Sequence, residues 1–397
     1  MFGSQVKKKK SHPPEVVRLG IVGLGNMGSA HARSILDGRV PGCELAAVCD
    51  LEPPEAGRFG GAEVFNDHRA MIASGKVNAV LVATPHYSHT TIGADALRAG
   101  LHVLVEKPIS VHKADCERLI AAHGGGGQVF AAMFNQRTDP YYQKVRDLVR
   151  GGALGAVRRI NWIITDWFRT EAYYASGGWR ATWAGEGGGV LLNQCPHNLD
   201  LYQWIFGMPA RVRGFCSFGR YHDIEVEDDV TAYFEHPDGS KGVFITSTGE
   251  APGTNRLEVT AENGRLVHEG GRLEFKRNEI PTSEFSRTTT RSFATPGVWN
   301  CSIPLPDNRG PQHVGILNNF TAAILRGEEL IAPAAEGIHS VELGNAILYS
   351  SLTGRTVDLP LSSAAYARRL RALIAGSRFK KKVVRAKASA SDFAKSF

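Results

Sequence analysis

The stretch that decides the fold is Val17-Arg-Leu-Gly-Ile-Val-Gly-Leu-Gly-Asn-Met-Gly28. Its first half is an apolar run suited to a buried strand, and its second half is a glycine loop, Gly23-x-Gly25-x-x-Gly28, from which a helix can start. Similar apolar runs recur at 43–50, 79–83, 101–105 and 128–132, with helical stretches between them. Short runs that are apolar on both faces and separated by helices indicate parallel strands covered on both sides. Residues 16–134 therefore read as a doubly wound α/β domain.

In a loop of this kind the first glycine permits a tight turn and the second lets a pyrophosphate approach the backbone. The third lets the helix pack on the strand, and the helix N-terminus faces the phosphates. Gly23, Gly25, Asn26, Met27 and Gly28 are the candidate phosphate-binding residues. The second apolar run ends in Asp50, where a carboxylate accepts hydrogen bonds from adenosine ribose hydroxyls and repels a 2′-phosphate. This spacing predicts a dinucleotide site that takes NAD, while Arg58 keeps NADP open.

After His123-Gly-Gly-Gly-Gly127 the texture changes. Asp139 can cap a helix with Pro140 at its first position, and Gly151-Gly152 stop it. Ile160, Trp162, Ile164 and Phe168 then alternate onto one face. Val230, Ala232 and Phe234 lead through Pro237-Asp-Gly239 into Val243 and Ile245, and Asn263-Gly264 marks another hairpin. Helices return at 313–326 and 336–350. Residues 135–376 thus predict an α+β domain with a large open, mostly antiparallel sheet. The basic ends, 1–15 and 377–397, read as flexible tails.

The 397 residues are 43% hydrophobic and 21% charged, which is incompatible with disorder over most of the chain. No run approaches the ~18 apolar residues of a membrane-spanning helix, and no apolar leader follows the N-terminal lysines, so a cytoplasmic protein is expected. Six cysteines without a CxxC point to free thiols rather than disulfides or a structural zinc, and no metal is expected. The net charge of +7 invites a nucleic-acid partner. Lys7 to Lys10 against Glu15, and ten Lys/Arg against Asp392 after 360, leave the body at −5 of that +7, which is not a basic groove.

Two further segments carry chemistry. Val103-Leu-Val-Glu106-Lys107-Pro108 ends an apolar strand in a charged pair at the carboxyl edge of the sheet, where open α/β sheets bind ligands. A lysine beside a nicotinamide would have a lowered pKa and could hold or relay a hydroxyl proton; the alternative is a surface lysine at a strand end. In Glu186-Gly-Gly-Gly-Val-Leu-Leu-Asn193-Gln-Cys-Pro-His197-Asn-Leu-Asp200, Asn193 and His197 share a face if the segment is helical. His197 is then a candidate acid/base, against the alternative of a structural histidine. Thr84-Pro85 closes another strand near the expected cofactor, with His86 read as an exposed loop residue.

Taken in order, the glycine loop, Thr84-Pro85, Glu106-Lys107-Pro108 and the Gly-Gly-Gly…His197-x-x-Asp200 segment resemble the glucose-fructose oxidoreductase, inositol dehydrogenase and rhizopine catabolism (Gfo/Idh/MocA) family. The resemblance implies a Rossmann domain followed by an open-sheet domain. It further implies NAD(P)-dependent hydride transfer at a secondary hydroxyl of a sugar, glycoside or inositol, in a homodimer or homotetramer. It matches Lys107 to the lysine that bonds the reacting oxygen and His197 to the acid/base, and it places Thr84, Pro85, Glu106 and Lys107 along the cofactor. Members commonly carry aspartate where this chain has Asn193. An amide orients a hydroxyl but accepts no proton, so a glycoside-cleaving enzyme that oxidises transiently on tightly bound NAD is the alternative. A cofactor-sensing binding protein is a third reading. Arg137, Trp179, Arg180 and His313 fall where the family lines its substrate pocket, and Tyr173 and Trp183 could stack on a pyranose.

Overall fold

A computed structural model describes residues 14–55 and 57–384. Most of both expected tails therefore lies outside the described residues. The chain opens with β1 (Val17–Val22), α1 (Asn26–Leu36), β2 (Cys43–Cys49), β3 (Glu63–Phe65), α2 (His68–Ala73), β4 (Ala79–Val82), α3 (His86–Arg98), β5 (His102–Val105), α4 (Lys113–His123) and β6 (Phe130–Ala132). These strands form one parallel sheet in the order β3-β2-β1-β4-β5-β6. The order reverses beside β1, so the carboxyl ends of β1 and β4 open a crevice there. Leu19, Ile21 and Leu81 are fully buried, as strands covered by helices on both faces require. β3 was not anticipated, because three residues after a proline-containing loop show no usable periodicity.

The second unit contains α5 (Pro140–Arg150), β7 (Val157–Ile164), α6 (Glu171–Ala175), α7 (Pro196–Phe206), β8 (Arg211–Phe218), β9 (Glu227–Glu235), β10 (Lys241–Ser247), β11 (Asn255–Ala261), β12 (Gly264–Glu269) and β13 (Arg272–Asn278). It continues with α8 (Thr282–Thr288), β14 (Val298–Cys301), α9 (Gln312–Arg326), α10 (Gly337–Thr353), β15 (Val357–Asp358) and α11 (Ser363–Gly376). Nine strands form one sheet, β14-β13-β12-β11-β7-β10-β9-β8-β15, antiparallel except where β7 meets β10. Asp139 caps α5 through its side chain, with Pro140 in the first turn.

One face of this sheet is buried by Ile160, Trp162, Ile164, Val230, Ala232, Phe234 and Phe244, with α7 and α10 packed in the same core. Phe168 does not join them. β7 ends at Ile164, and Phe168 sits beyond it, 46% exposed. Val243 and Ile245 pair with Asn161 and Ile163 on the opposite, open face. Ile316, Leu317, Phe320 and Ile324 of α9 pack into the core of the parallel sheet, although α9 follows all strands of the second sheet but β15 in sequence.

Candidate functional site

The glycine loop separates fold from function residue by residue. Gly23 has φ +93°, and a Cβ there would lie 2.6 Å from the Ala83 carbonyl oxygen. At Gly28 a Cβ would lie 1.8 Å from the Gly23 carbonyl oxygen. Both positions are dictated by chain packing. At Gly25 a Cβ would meet nothing within 4 Å, so its lack of a side chain serves no internal contact. Gly25 is the N-cap of α1 and makes no side-chain cap bond, and it and Asn26 are exposed. The first amides of α1 thus face open space, which fits a pyrophosphate. Asp50 follows β2 and accepts from the Leu24 amide at 2.6 Å through Oδ2 and from the Glu52 amide at 3.2 Å through Oδ1. Each oxygen keeps a lone pair for a ribose hydroxyl. Arg58 is exposed, with its guanidinium 5.3 Å from the Phe59 ring.

At the end of β5, Glu106 is buried and bonded to His31 Nε2 at 2.7 Å, and its other oxygen accepts from the Lys107 amide at 3.1 Å. Burial acts to raise this carboxyl. The hydrogen bond and charge of His31, with His313 and Lys107 beyond, outweigh it and hold Glu106 at about 2. His31, one turn into α1, carries no local signal of this role, because its partner is 75 positions away. His313, on the first turn of α9, brings its ring centroid within 5.7 Å of that of His31. Burial lowers it to about 4, with His31 and Lys107 adding to the effect.

Lys107 is half-buried and donates from Nζ to the Asn193 carbonyl oxygen at 3.0 Å. Burial lowers its pKa; Glu106 and Glu186 oppose the shift, and Arg169 and Arg180 add to it. His197 is 4% exposed on the first turn of α7, edge-on to Phe134 with centroids 6.3 Å apart. Burial depresses it well below the ordinary imidazole value, with help from Lys107 and His313, and leaves a neutral ring whose Nδ1 has no protein partner.

Asn193 is not helical. α7 starts at Pro196, and 189–195 is a run of turns in which the Asn193 amide bonds the Gly189 carbonyl at 3.0 Å. Gly189 is needed because β9 passes there: a Cβ would lie 2.0 Å from the Glu227 carbonyl oxygen. Glu227 Oε1 accepts from the Gly189 and Leu191 amides at 2.8 and 3.1 Å, and burial pushes its carboxyl up to about 7. Asn193 Oδ1 accepts from the Tyr173 hydroxyl at 3.2 Å, and that hydroxyl accepts from Arg180 at 3.0 Å. Arg180 lies over the Trp179 and Tyr173 rings at 4.5 and 4.7 Å. These side chains wall one side of the space above Lys107.

Three expectations need correction. His86 is not an exposed loop residue. It opens α3, is 6% exposed and sits 5.5 Å from the Trp179 ring, with burial lowering its pKa. Arg137 is withdrawn from the pocket. Its guanidinium is 1% exposed, paired with Asp200 at 2.7 Å through two nitrogens and bonded to Glu336 at 2.6 Å and the Ile331 carbonyl at 3.1 Å. Trp183 is a core residue, 5% exposed against Phe218. Thr84 and Pro85 do lie at the crevice, between β4 and α3, and the Thr84 Oγ1 has no protein partner. Of the tail expected from 377, residues 377–384 run beside α6, where the Val384 amide bonds the Ala175 carbonyl at 2.9 Å.

Comparison with known proteins agrees with this arrangement. Residues 17–134 match the oxidoreductase family with an NAD-binding Rossmann fold, and residues 142–267 match the GFO/IDH/MocA C-terminal domain. An inositol 2-dehydrogenase of Rubrobacter xylanophilus is 32% identical over 48% of this chain and 52% of its own length, so the match spans about half of that relative. The rhizopine catabolism protein MocA of Rhizobium meliloti is 30% identical over 59% of this chain and 73% of its own length. Among solved structures, a levoglucosan dehydrogenase in complex with NADH and levoglucosan superposes with a TM-score of 0.72 at 21% identity, covering 87% of this chain and all of the other. No helix among the described residues is long and apolar enough to cross a membrane. The glycine loop, the parallel sheet and the open-sheet domain that follows it place this chain in the Gfo/Idh/MocA family of NAD-binding oxidoreductases.

Proposed function

We propose that this protein is an NAD-dependent dehydrogenase acting on a secondary hydroxyl of a sugar or cyclitol. The observation that carries the reading is the pairing of a half-buried Lys107 with a neutral, buried His197 at the carboxyl edge of the parallel sheet. NAD, when bound, supplies the hydride acceptor; the α1 amides and Gly25 would hold its pyrophosphate and Asp50 its ribose. His197, kept neutral by burial, takes the hydroxyl proton as general base. Lys107 Nζ donates to the reacting oxygen and stabilises its developing negative charge, a contribution of about 3–4 kcal/mol for one well-placed donor. Asn193, Tyr173, Arg180 and Trp179 orient the ring hydroxyls. The dehydrogenase relatives named for inositol and levoglucosan support a polyhydroxylated ring as substrate.

The test is turnover of NAD with myo-inositol, levoglucosan and a panel of pyranosides, read as NADH absorbance and product mass, on wild type and Lys107→Met. Expected is NADH formation by wild type and a fall in kcat of about 10²–10³-fold in the variant, with NADH affinity within about threefold. Undiminished turnover in Lys107→Met overturns the assignment. Glycoside cleavage without net NADH moves the reading to transient oxidation. The six unpaired cysteines support a reducing, cytoplasmic setting. Ile163, Val243 and Ile245 on the open sheet face support self-association, which light scattering of the purified protein tests.

A further inference from the structure

Glu186 is a buried carboxyl that the mechanism above does not use; burial raises its pKa, and Arg180, the Asn193 side-chain amide, the Ala181 amide and Lys107 oppose that shift in favour of the carboxylate. It is 1% exposed, and it sits at the head of the glycine run rather than in the sheet core. Oε2 accepts from the Ala181 amide at 2.6 Å, and Oε1 accepts from the Asn193 side-chain amide. Ala181 has φ +52°, a left-handed backbone that a non-glycine residue holds only when its surroundings fix it. The carboxylate therefore ties the Trp179-Arg180 turn to Asn193 within the wall beside Lys107.

A carboxylate only accepts hydrogen bonds, so Asn193 must present its NH2 to Glu186. Its Oδ1 is then turned to the Tyr173 hydroxyl and the Gln194 side-chain amide, both at 3.2 Å, and its main-chain oxygen holds Lys107 Nζ. We propose that Glu186 is a positioning residue of this site, whose carboxylate fixes the Asn193 side chain and the Trp179-Arg180 turn around Lys107 and serves as counter-charge to the ammonium. The inference deepens the dehydrogenase reading and rests on it for the identity of the hydroxyl.

Lys107 is faced by Glu106 at the end of β5, by Arg169, Arg180 and Glu186 from the segments before α7, and by His86, His197 and His313 from α3, α7 and α9. Lys381 from the C-terminal segment acts on Glu186. In this set Glu186 and Glu106 are the groups that favour the ammonium, and Glu106 is already engaged by His31. Removing the Glu186 charge therefore lowers the Lys107 pKa, and a new carboxylate at 193 restores it.

The experiment is competitive acetylation of Lys107 with acetic anhydride across pH, read by peptide mass spectrometry, in wild type, Glu186→Gln and Glu186→Gln/Asn193→Asp. Melting temperature and NADH affinity are the controls for folding. The expected result is a labelling midpoint about one pH unit lower in Glu186→Gln, a tenfold change in neutral amine, and its return in the double variant. With an active substrate, the alkaline limb of kcat/KM moves by the same amount and direction. No shift, or a shift that Asn193→Asp leaves in place, overturns the proposal. Should Glu186→Gln alone not fold, the double variant carries the test: a midpoint equal to wild type supports the proposal, and a displaced one overturns it. If the midpoint moves and returns but no sugar or cyclitol is oxidised, the positioning role stands and the dehydrogenase reading fails.

Discussion

Gly25 and Gly28 stand three residues apart in one loop, yet substituting them should have opposite consequences. A Cβ at Gly25 has no neighbour within 4 Å and the backbone, at φ −62° and ψ −163°, is extended, so Gly25→Val should leave the fold intact. Its branched side chain would instead occupy the open space in front of the α1 amides. Losing one charge-assisted hydrogen bond to a phosphate costs about 2–3 kcal/mol, or roughly 30- to 150-fold in affinity. Gly28→Ala places a methyl 1.8 Å from the Gly23 carbonyl oxygen, a collision with backbone that no rotamer relieves. Overpacking of this kind costs about 3 kcal/mol, a fall in Tm of roughly 4 °C for a chain of this size. NADH fluorescence titration and thermal melts on both variants separate the two effects. Gly25→Val binding NADH within about threefold of wild type, with its melt unchanged, would refute the claim that this space is where the pyrophosphate lies.

Three other outcomes follow from the same geometry. Arg137→Met strands Asp200, which is fully buried, and should cost about 3–5 kcal/mol in urea titration; a loss below about 1 kcal/mol contradicts a buried ion pair between Arg137 and Asp200. Asp50→Ser removes the carboxylate that repels a 2′-phosphate, so the ratio of NADPH to NADH affinity should rise, and an unchanged ratio rejects Asp50 as the ribose acceptor. Stability should fall as pH is lowered from about 6.5 toward 4. Burial holds His86, His89, His197, His268 and His313 below their ordinary value, so the unfolded chain takes up protons there that the folded chain refuses. Glu227, held at about 7, and His222, raised against the effect of burial by its bonds to Asp228 and the Arg169 carbonyl, oppose this by one proton each. Urea midpoints that stay flat from pH 7 to pH 5 would show that these rings are not neutral in the fold.

What could be read from the sequence was what local pattern dictates. The β1 run with its glycine loop, the five apolar strands and the Asp139-Pro140 helix start each rest on residues adjacent in the chain, and all appear in the fold. Phe168 was misassigned because alternation continues past Ile164 in sequence while the strand does not. The helical spacing of Asn193 and His197 failed because Pro196 starts α7 between them, yet turns still bring the Asn193 carbonyl to Lys107. His31 and Glu186 carried no signal at all, since each takes its meaning from a partner supplied by folding: Glu106 for one, Asn193 and Ala181 for the other. Arg137 shows the converse. Its position pointed to the pocket, and only the buried Asp200 beneath it shows where the charge is spent.

The placement of α9 bears on how the protein comes to be folded. The wall that Ile316, Leu317, Phe320 and Ile324 provide for the parallel sheet is translated only after eight of the nine strands of the second sheet. At ~5–20 residues per second, the segment ending at Phe134 waits on the order of ten seconds or more on the ribosome for its last packing partner. During that interval its apolar flank is open to chaperones, and a fragment cut after residue 134 would keep it open permanently. The same helix delivers His313 beside His31 and Glu106, so completion of the nucleotide-binding half and maturation of the acid-base cluster are a single late event.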